Sequence, residues 1–175
     1  MRQNDWIYCT AVGQDSHRFM TPAERASQPE RPLVLGGLKI PDEMPLAGNS
    51  DADVLLHALT NALSGLTTRN ILGRRADRLC LDQGITDSAV YLREALADLA
   101  SGHWELVHIS LSVEAARPRL ADWLEPIRDR LAGLTGLRAG QIGLTATSGE
   151  GLSAFGRGDG MMVICLVSAR RPDLV

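Results

Sequence analysis

Ser50-Asp-Ala-Asp-Val-Leu-Leu-His-Ala-Leu-Thr-Asn-Ala-Leu63 is the stretch that decides the fold. Val54, Leu55, Ala58, Leu59, Ala62 and Leu63 recur at helical spacing, which predicts an amphipathic helix running to about Leu66. Ser50 is a good N-cap, with Asp53 three residues on. Asp53 and His57 lie four apart, on one face of that helix. Asp53 reads equally as a cap favoured by the positive end of the helix dipole or as a site residue. His57 taken alone reads as a core histidine. Upstream, Asp15-Ser-His17 changes that reading, because Asp15 and His17 fall on one face of an extended segment. The chain has 4 histidines, and two of them belong to this pattern. A strand edge facing a helix face with N and O ligands suits a divalent transition metal such as zinc.

Outward from that helix, strands and helices alternate. Trp6 to Val12 is β-branched and aromatic-rich and predicts a strand ending at Gly13. Met20 to Pro32, with Pro22 and Pro29 inside it, reads as a loop. Leu33 to Ile40 reads as two short strands around a Gly36-Gly37 turn. Thr67 to Ile85 is irregular. Thr86 or Asp87 caps a second helix to about Ala100. Leu106 to Val113 alternates as a strand, and Arg119 to Leu134 has the apolar spacing of a third helix, with Trp123 on its core face. Ile142 to Thr147 and Met161 to Val167 are further strands. The order predicts one α/β (α+β) domain over 1–175, a mixed sheet with helices packed on one face.

Composition bounds the function. With 175 residues, one core is expected. Aromatic content is 4%, so that core is aliphatic. A net charge of -3 argues against nucleic acid as a partner, which needs a basic surface. No apolar run approaches a membrane span, and Met1 to Trp6 has no signal-like apolar stretch. Cys9, Cys80 and Cys165 are odd in number and far apart. They read as reduced core thiols, so a cytoplasmic location without a membrane partner is expected. His103 and His108 match no motif and read as structural or exposed. Arg74-Arg75 and Arg170-Arg171 read as solvated basic pairs.

Between the last two strands, Thr145 to Gly160 holds five glycines between 149 and 160, with hydroxyls and Arg157. Glycines let backbone N–H groups approach an anion. A flexible hairpin loop is the equal alternative. The Gly-Lys-Ser/Thr ending of a nucleotide-binding P-loop is absent.

These residues together resemble the 2-C-methyl-D-erythritol 2,4-cyclodiphosphate synthase family. The stretches that carry the resemblance are Gly13 to Phe19, Leu33 to Pro41, Ser50 to Leu63, Thr86-Asp-Ser88, Thr147 to Leu152 and Phe155 to Gly160, in the family's order and across nearly the whole chain. The resemblance implies a cytoplasmic homotrimer with active sites at subunit interfaces. It implies zinc held by Asp15, His17 and His57, and a second divalent cation, magnesium or manganese, held by Glu150. It implies a metal-dependent phosphorus–oxygen lyase of the non-mevalonate isoprenoid route. The 2-phosphate of 4-diphosphocytidyl-2-C-methyl-D-erythritol 2-phosphate attacks the diphosphate, releases CMP and closes the cyclodiphosphate. Thr147 and Ser148 would act beside Glu150. Ala115, Arg119 and Leu120 match a cytidine-binding turn. Phe155 and Arg157 match the lining of a central channel, where Arg157 would bind an anionic head group such as an isoprenoid diphosphate.

The chain also departs from the family. Asn49 precedes Ser50 where a substrate-contacting His is usual, and Asn cannot carry charge. Asn61 stands where an Asp orients the zinc-binding imidazole, which predicts a weaker ligand. Asn70 replaces an Asp on the methylerythritol, and the acidic run after it is missing. The Met20–Arg31 segment is longer than usual. Two alternatives stay open: a diverged homologue with another phosphorylated substrate, and a non-enzymatic trimeric binding protein for metal or isoprenoid diphosphate.

Overall fold

A computed structural model describes residues 6–173. The Met1–Asp5 segment that was read for a leader lies outside the described residues. Along the chain the elements are β1 (Trp6–Arg18), α1 (Pro22–Ser27), β2 (Leu33–Leu35), β3 (Leu38–Ile40), α2 (Val54–Thr67), α3 (Arg74–Gln83), α4 (Ser88–Ser101), β4 (Glu105–Glu114), α5 (Leu124–Thr135), β5 (Ile142–Thr147) and β6 (Gly160–Pro172).

Four strands form a mixed sheet in the order β1-β6-β4-β5. β6 runs antiparallel to both neighbours, and β4 runs parallel to β5. Period-2 alternation divides the sheet into two faces. Met161, Val163, Cys165 and Val167 of β6 and Ile109, Leu111 and Val113 of β4 are buried. On the opposite face Tyr8, Val12, Ile164 and Leu166 are exposed. The buried face carries α2, which packs on β1 and β6, while α5 packs on β5 and α4 lies against α2. This is the expected mixed sheet with helices on one face. β2 and β3 pair around Gly36 and Gly37, also as expected.

α2 is the central element. Ten of its residues are buried, from Val54 to Ser64, so it is covered on the side of α4 as well as the sheet side. Its N-cap is Asp53 rather than Ser50. The Asp53 carboxylate accepts from the N–H groups of Leu55 and Leu56, and also from Gly36 (2.9 Å) and Gly37 (2.6 Å) of the β2–β3 turn. One fully buried side chain thus starts the helix and fastens the turn to it. Burial pushes this carboxyl up to about 6, with the N–H groups of Gly37, Leu56 and Gly36 working against that rise.

Several expectations need correction. β1 continues through Gly13 to Arg18, because its whole length pairs with β6. The Met20–Pro32 loop contains α1, which has a full capping box between Thr21 and Glu24 and Pro22 in its first turn. It buries nothing, so no hydrophobic period announced it. The irregular Thr67–Ile85 stretch contains α3. Only Ala76 and Cys80 are buried there, one turn apart, and Gly84 stops the helix in the left-handed region. The third helix begins at Leu124 instead of Arg119. Residues 121–123 form a turn that keeps the same apolar spacing before the helix starts. Cys9 is half-buried, whereas Cys80 and Cys165 are core. Three of the four basic residues are not simply solvated: Arg75 pairs with Glu94, Arg170 pairs with Glu105 and stacks on Trp6, and Arg171 stacks on Trp104, while Arg74 is exposed. His103 and His108 are exposed.

Candidate metal centre

Asp15 and His17 stand on the helix-facing side of β1, alternating with exposed Gln14 and Ser16. His57 faces them from the second turn of α2, 8% exposed. The approach depends on Gly13. A Cβ at Gly13 would lie 2.2 Å from Ala62 N and 2.3 Å from Ala58 O, so strand and helix touch backbone to backbone just before Asp15. Asp15 Oδ2 then lies 2.9 Å from His57 Nδ1 and 3.0 Å from His17 Nε2. The two imidazole nitrogens are 3.1 Å apart.

The far side of each ring fixes what its near side offers. His17 Nδ1 lies 2.9 Å from the Ala47 carbonyl, so it carries the proton and Nε2 is bare. His57 Nε2 lies 2.8 Å from Ser88 Oγ. The Ser88 hydroxyl donates to Asp51, which also accepts from the Ser88 N–H. Ser88 Oγ therefore receives the Nε2 proton, and His57 Nδ1 is bare. A carboxylate oxygen and two imidazole lone pairs thus converge on one point. Three acceptors meeting this way repel one another unless a cation lies among them. Asp15, His17 and His57 fit a divalent metal in number, chemistry and supporting bonds.

A proton fills the same role without metal. Burial works to raise the Asp15 carboxyl, but the two imidazoles outweigh it and hold it well below the usual carboxylate range. Burial works to lower His17, yet Asp15 raises it above its ordinary value of 6.5. The signs give a pH window. The depressed Asp15 contributes stability that is full above 3.8 and lost as pH falls through its folded value. The raised His17 contributes stability that is full below 6.5 and lost as pH rises through its folded value. In metal-free protein, the melting-temperature gap between wild type and Asp15→Asn should be widest between 3.8 and 6.5. Metal binding should release protons and weaken as pH falls.

Asn61 does not orient the imidazole. Its side-chain amide donates to the Gln14 carbonyl at 3.0 Å and ties α2 to β1. The Asp51–Ser88 pair orients His57 instead, so the basicity expected to be lost at Asn61 is supplied from α4. Neither residue was singled out as an orienting group, although both lie within the quoted Ser50–Leu63 and Thr86–Ser88 stretches. Ser88→Ala should lower metal affinity about 10- to 100-fold with little loss of fold, measured by competition with a chromogenic chelator.

The metal cluster opens into a cavity of about 350 Å³. Asn49 and Ser50 line it as expected, and Asn61, Leu72, Gly73, Ala76, Asp77, Cys80 and Tyr91 complete it. Asn70 is exposed and is not among the lining residues of this cavity within one chain. Leu72 and Gly73 reach the cavity ahead of α3, and α3 supplies Asp77 to it. Cys80 gives its thiol hydrogen to the Asn49 carbonyl, so it positions that loop and is no fourth ligand.

Thr147, Ser148, Ala115, Arg119 and Leu120 line a different cavity, of about 330 Å³. Glu150 is exposed, with φ 49°, and its Oε1 accepts from Ser148 Oγ at 2.9 Å. Phe155 and Arg157 follow in the turn before β6; the Phe155 carbonyl accepts from Ala116 N, and Arg157 is exposed. Within one chain, the two groups of residues do not share a cavity.

Comparison with known proteins agrees with this geometry. The family model described as the YgbB family matches residues 8–170. The chain is 40% identical over 163 residues to 2-C-methyl-D-erythritol 2,4-cyclodiphosphate synthase of Chlamydia caviae, covering 93% of this chain and 89% of that one. It is likewise 40% identical over 164 residues to the protein of that name from Chlamydia trachomatis serovar A, covering 94% and 89%. A solved CDP-bound structure of 2C-methyl-D-erythritol-2,4-cyclodiphosphate synthase superposes with TM-score 0.74 at 30% identity, over 92% of this chain and 99% of that one. The bifunctional IspDF from Campylobacter jejuni superposes with TM-score 0.84 at 29% identity. That match takes in 95% of this chain and 43% of the longer protein. With the family model matched over residues 8–170 and relatives 40% identical over 93% of its length, the chain belongs to the YgbB family.

Proposed function

We propose that this chain cyclises 4-diphosphocytidyl-2-C-methyl-D-erythritol 2-phosphate to 2-C-methyl-D-erythritol 2,4-cyclodiphosphate and releases CMP. The observation that carries the reading is the convergence of Asp15 Oδ2, His17 Nε2 and His57 Nδ1, in a chain 40% identical to synthases of that name. A metal held there, zinc in this reading, supplies Lewis-acid stabilisation to a phosphate oxygen in the remaining coordination position.

The remaining work belongs to the protein. Joining two phosphate groups of one molecule needs little proton transfer; it needs two anions held in line and their charge offset. Asp15, His17 and His57 fix one end of that arrangement. Asn49 and Ser50 border the same cavity and offer hydrogen bonds to the phosphate. Thr147 and Ser148 sit at the mouth of the cavity assigned to the cytidine side, with Ala115, Arg119 and Leu120 along its wall. Glu150 is the group that would hold magnesium or manganese, which would offset phosphate charge. As the 2-phosphate oxygen bonds to the outer phosphorus of the diphosphate, the bond from that phosphorus to the CMP oxygen breaks.

In this reading the enzyme is a homotrimer, and two observations support it. The metal cavity and the Thr147–Ser148 cavity are separate within one chain, so a neighbouring subunit is needed to bring them together. The open sheet face places Val12 directly beside Leu166, with Tyr8 and Ile164 close by, all exposed. An apolar patch of that kind calls for a partner. Arg157 would then face the shared axis, where an isoprenoid diphosphate is a fitting ligand. None of the described helices is long and apolar enough to cross a membrane.

The diverged-substrate alternative rested on Asn49, Asn61 and Asn70. Asn61 is a structural clamp, and Asp51–Ser88 supports the metal ligand in its place, so the ground that rested on Asn61 is weakened. Purified protein with zinc and magnesium should release CMP from the cytidine substrate at a rate comparable to a reference synthase. Absence of CMP under conditions where the reference works would overturn the assignment.

A further inference from the structure

The long Met20–Arg31 segment builds a second, more polar cavity of about 530 Å³ beside the metal site. It adjoins the first along His17, Gly48 and Asn49, which line both. Its charged wall residues beyond His17 are Arg18, Glu24 and Arg31. Arg18 and Glu24 form a two-pronged ion pair at 2.6 and 2.7 Å, so their charges cancel. Arg31 is left over. Its guanidinium gives one hydrogen bond to the Ser50 carbonyl at 2.6 Å and another to Gln28 Oε1 at 3.3 Å. Its Nε is buried without a partner. No carboxylate among the described residues lies within ion-pair distance of it. Asp51 stabilises its charge from farther away, but that carboxylate is committed to Ser88.

A half-buried guanidinium with unused donors and no counter-ion, next to a cavity that leads to a metal cluster, is arranged for an anion with several oxygens. Arg31 lines the same cavity as His17, so its guanidinium and a metal ligand face one space. Its grip on the Ser50 carbonyl holds it against the loop that carries Asn49. We propose that Arg31 is a substrate-binding residue that supplies positive charge to the phosphate held at the metal, and that the Met20–Arg31 segment serves to present it. The inference rests on the proposed reaction only for the identity of the phosphate's owner. Free inorganic phosphate and the phosphate of a larger substrate share the chemistry that Arg31 recognises.

The test measures binding of inorganic phosphate to the zinc-loaded full chain by calorimetry, with metal content checked afterwards. Arg31→Gln should weaken phosphate binding about 10- to 100-fold with metal retained. Arg31→Lys should recover part of the loss. Gln28→Glu is the companion variant: it sets a carboxylate on the Arg31 guanidinium at an exposed position, so it neutralises the charge without disturbing the fold. It should weaken phosphate binding in the same direction, and in turnover it should raise KM more than it lowers kcat. Unchanged phosphate affinity in Gln28→Glu would overturn the proposal, even where Arg31→Gln loses metal or melts. So would a wild-type protein that binds no phosphate. Because phosphate binding is read without turnover, absent CMP release counts against the reaction and unaltered affinity counts against Arg31.

Discussion

His57→Ala should leave a folded protein that retains no stoichiometric divalent metal and releases CMP about a thousandfold more slowly or worse. The geometry sets this expectation. Asp15 Oδ2 is 2.9 Å from His57 Nδ1 and 3.0 Å from His17 Nε2, so each ligand completes a set of three. With His57 removed, the two remaining ligands, Asp15 and His17, both lie on β1, and the donor from α2 that faced them is gone. A catalytic metal supplies several kcal/mol of charge stabilisation in the transition state, which corresponds to a rate loss of that size. The fold should survive, because α2 keeps its nine other buried residues and its Asp53 cap. Elemental analysis and circular dichroism on wild type, His57→Ala and the exposed His108→Ala give the comparison. Equal metal in wild type and His57→Ala would remove the centre from its assigned place, whereas His108→Ala should keep both metal and rate.

Gly13→Ala should be the most destabilising single-methyl change in the chain, costing more than about 4 kcal/mol. The added Cβ would meet the backbone of α2 at 2.2 and 2.3 Å. Backbone atoms of a buried helix cannot rotate away as a side-chain tip can, so strand and helix must separate. That separation would pull Asp15 from His57 as well. The variant should therefore melt far below wild type, and any folded fraction should bind metal weakly. Gly133→Ala is the control, since nothing lies within 4 Å of its Cβ, and a glycine-to-alanine change in a helix interior is mildly stabilising. A Gly13→Ala protein with wild-type melting temperature would mean that α2 does not rest on β1 as described.

Gly13 also shows how far the one-dimensional reading reached. In a strand pattern, a glycine after a run of β-branched residues reads as an end. Here it lies inside β1, and its purpose lies on α2, forty-odd residues away. α3 escaped for the opposite reason: its helical face is two residues wide, so no hydrophobic period rose above its charges. α1 was legible in principle, since Thr21-Pro-Ala-Glu24 is a capping box, but the prolines around it drew attention first.

The site divides in the same way. The residue types in Asp15-Ser-His17 and Asp53-to-His57, at strand and helix spacing, were enough to bring out four candidate ligands, because ligand chemistry and backbone periodicity are local properties; the set of three came from the family resemblance. The tertiary structure shows what Asp53 does instead, with the Gly36 and Gly37 N–H groups of the β2–β3 turn on its carboxylate. The tautomers of His17 and His57, and hence the need for a cation, depend on the Ala47 carbonyl and the Ser88–Asp51 pair, which no spacing rule connects to them.

By itself, the sequence determined the alternation of strands and helices, the aliphatic core, the central helix and the candidate ligands Asp15, His17, Asp53 and His57, since each is written in periodicity or side-chain chemistry over a few residues. The tertiary structure alone decided that Asp53 fastens a turn, that Asn61 is a clamp, that Ser88 orients His57 and that Arg31 stands uncompensated beside the metal. Those roles are properties of pairs of groups distant in the chain. Only close packing, permitted at Gly13 by the absence of one carbon atom, brings strand and helix near enough for the metal ligands to meet.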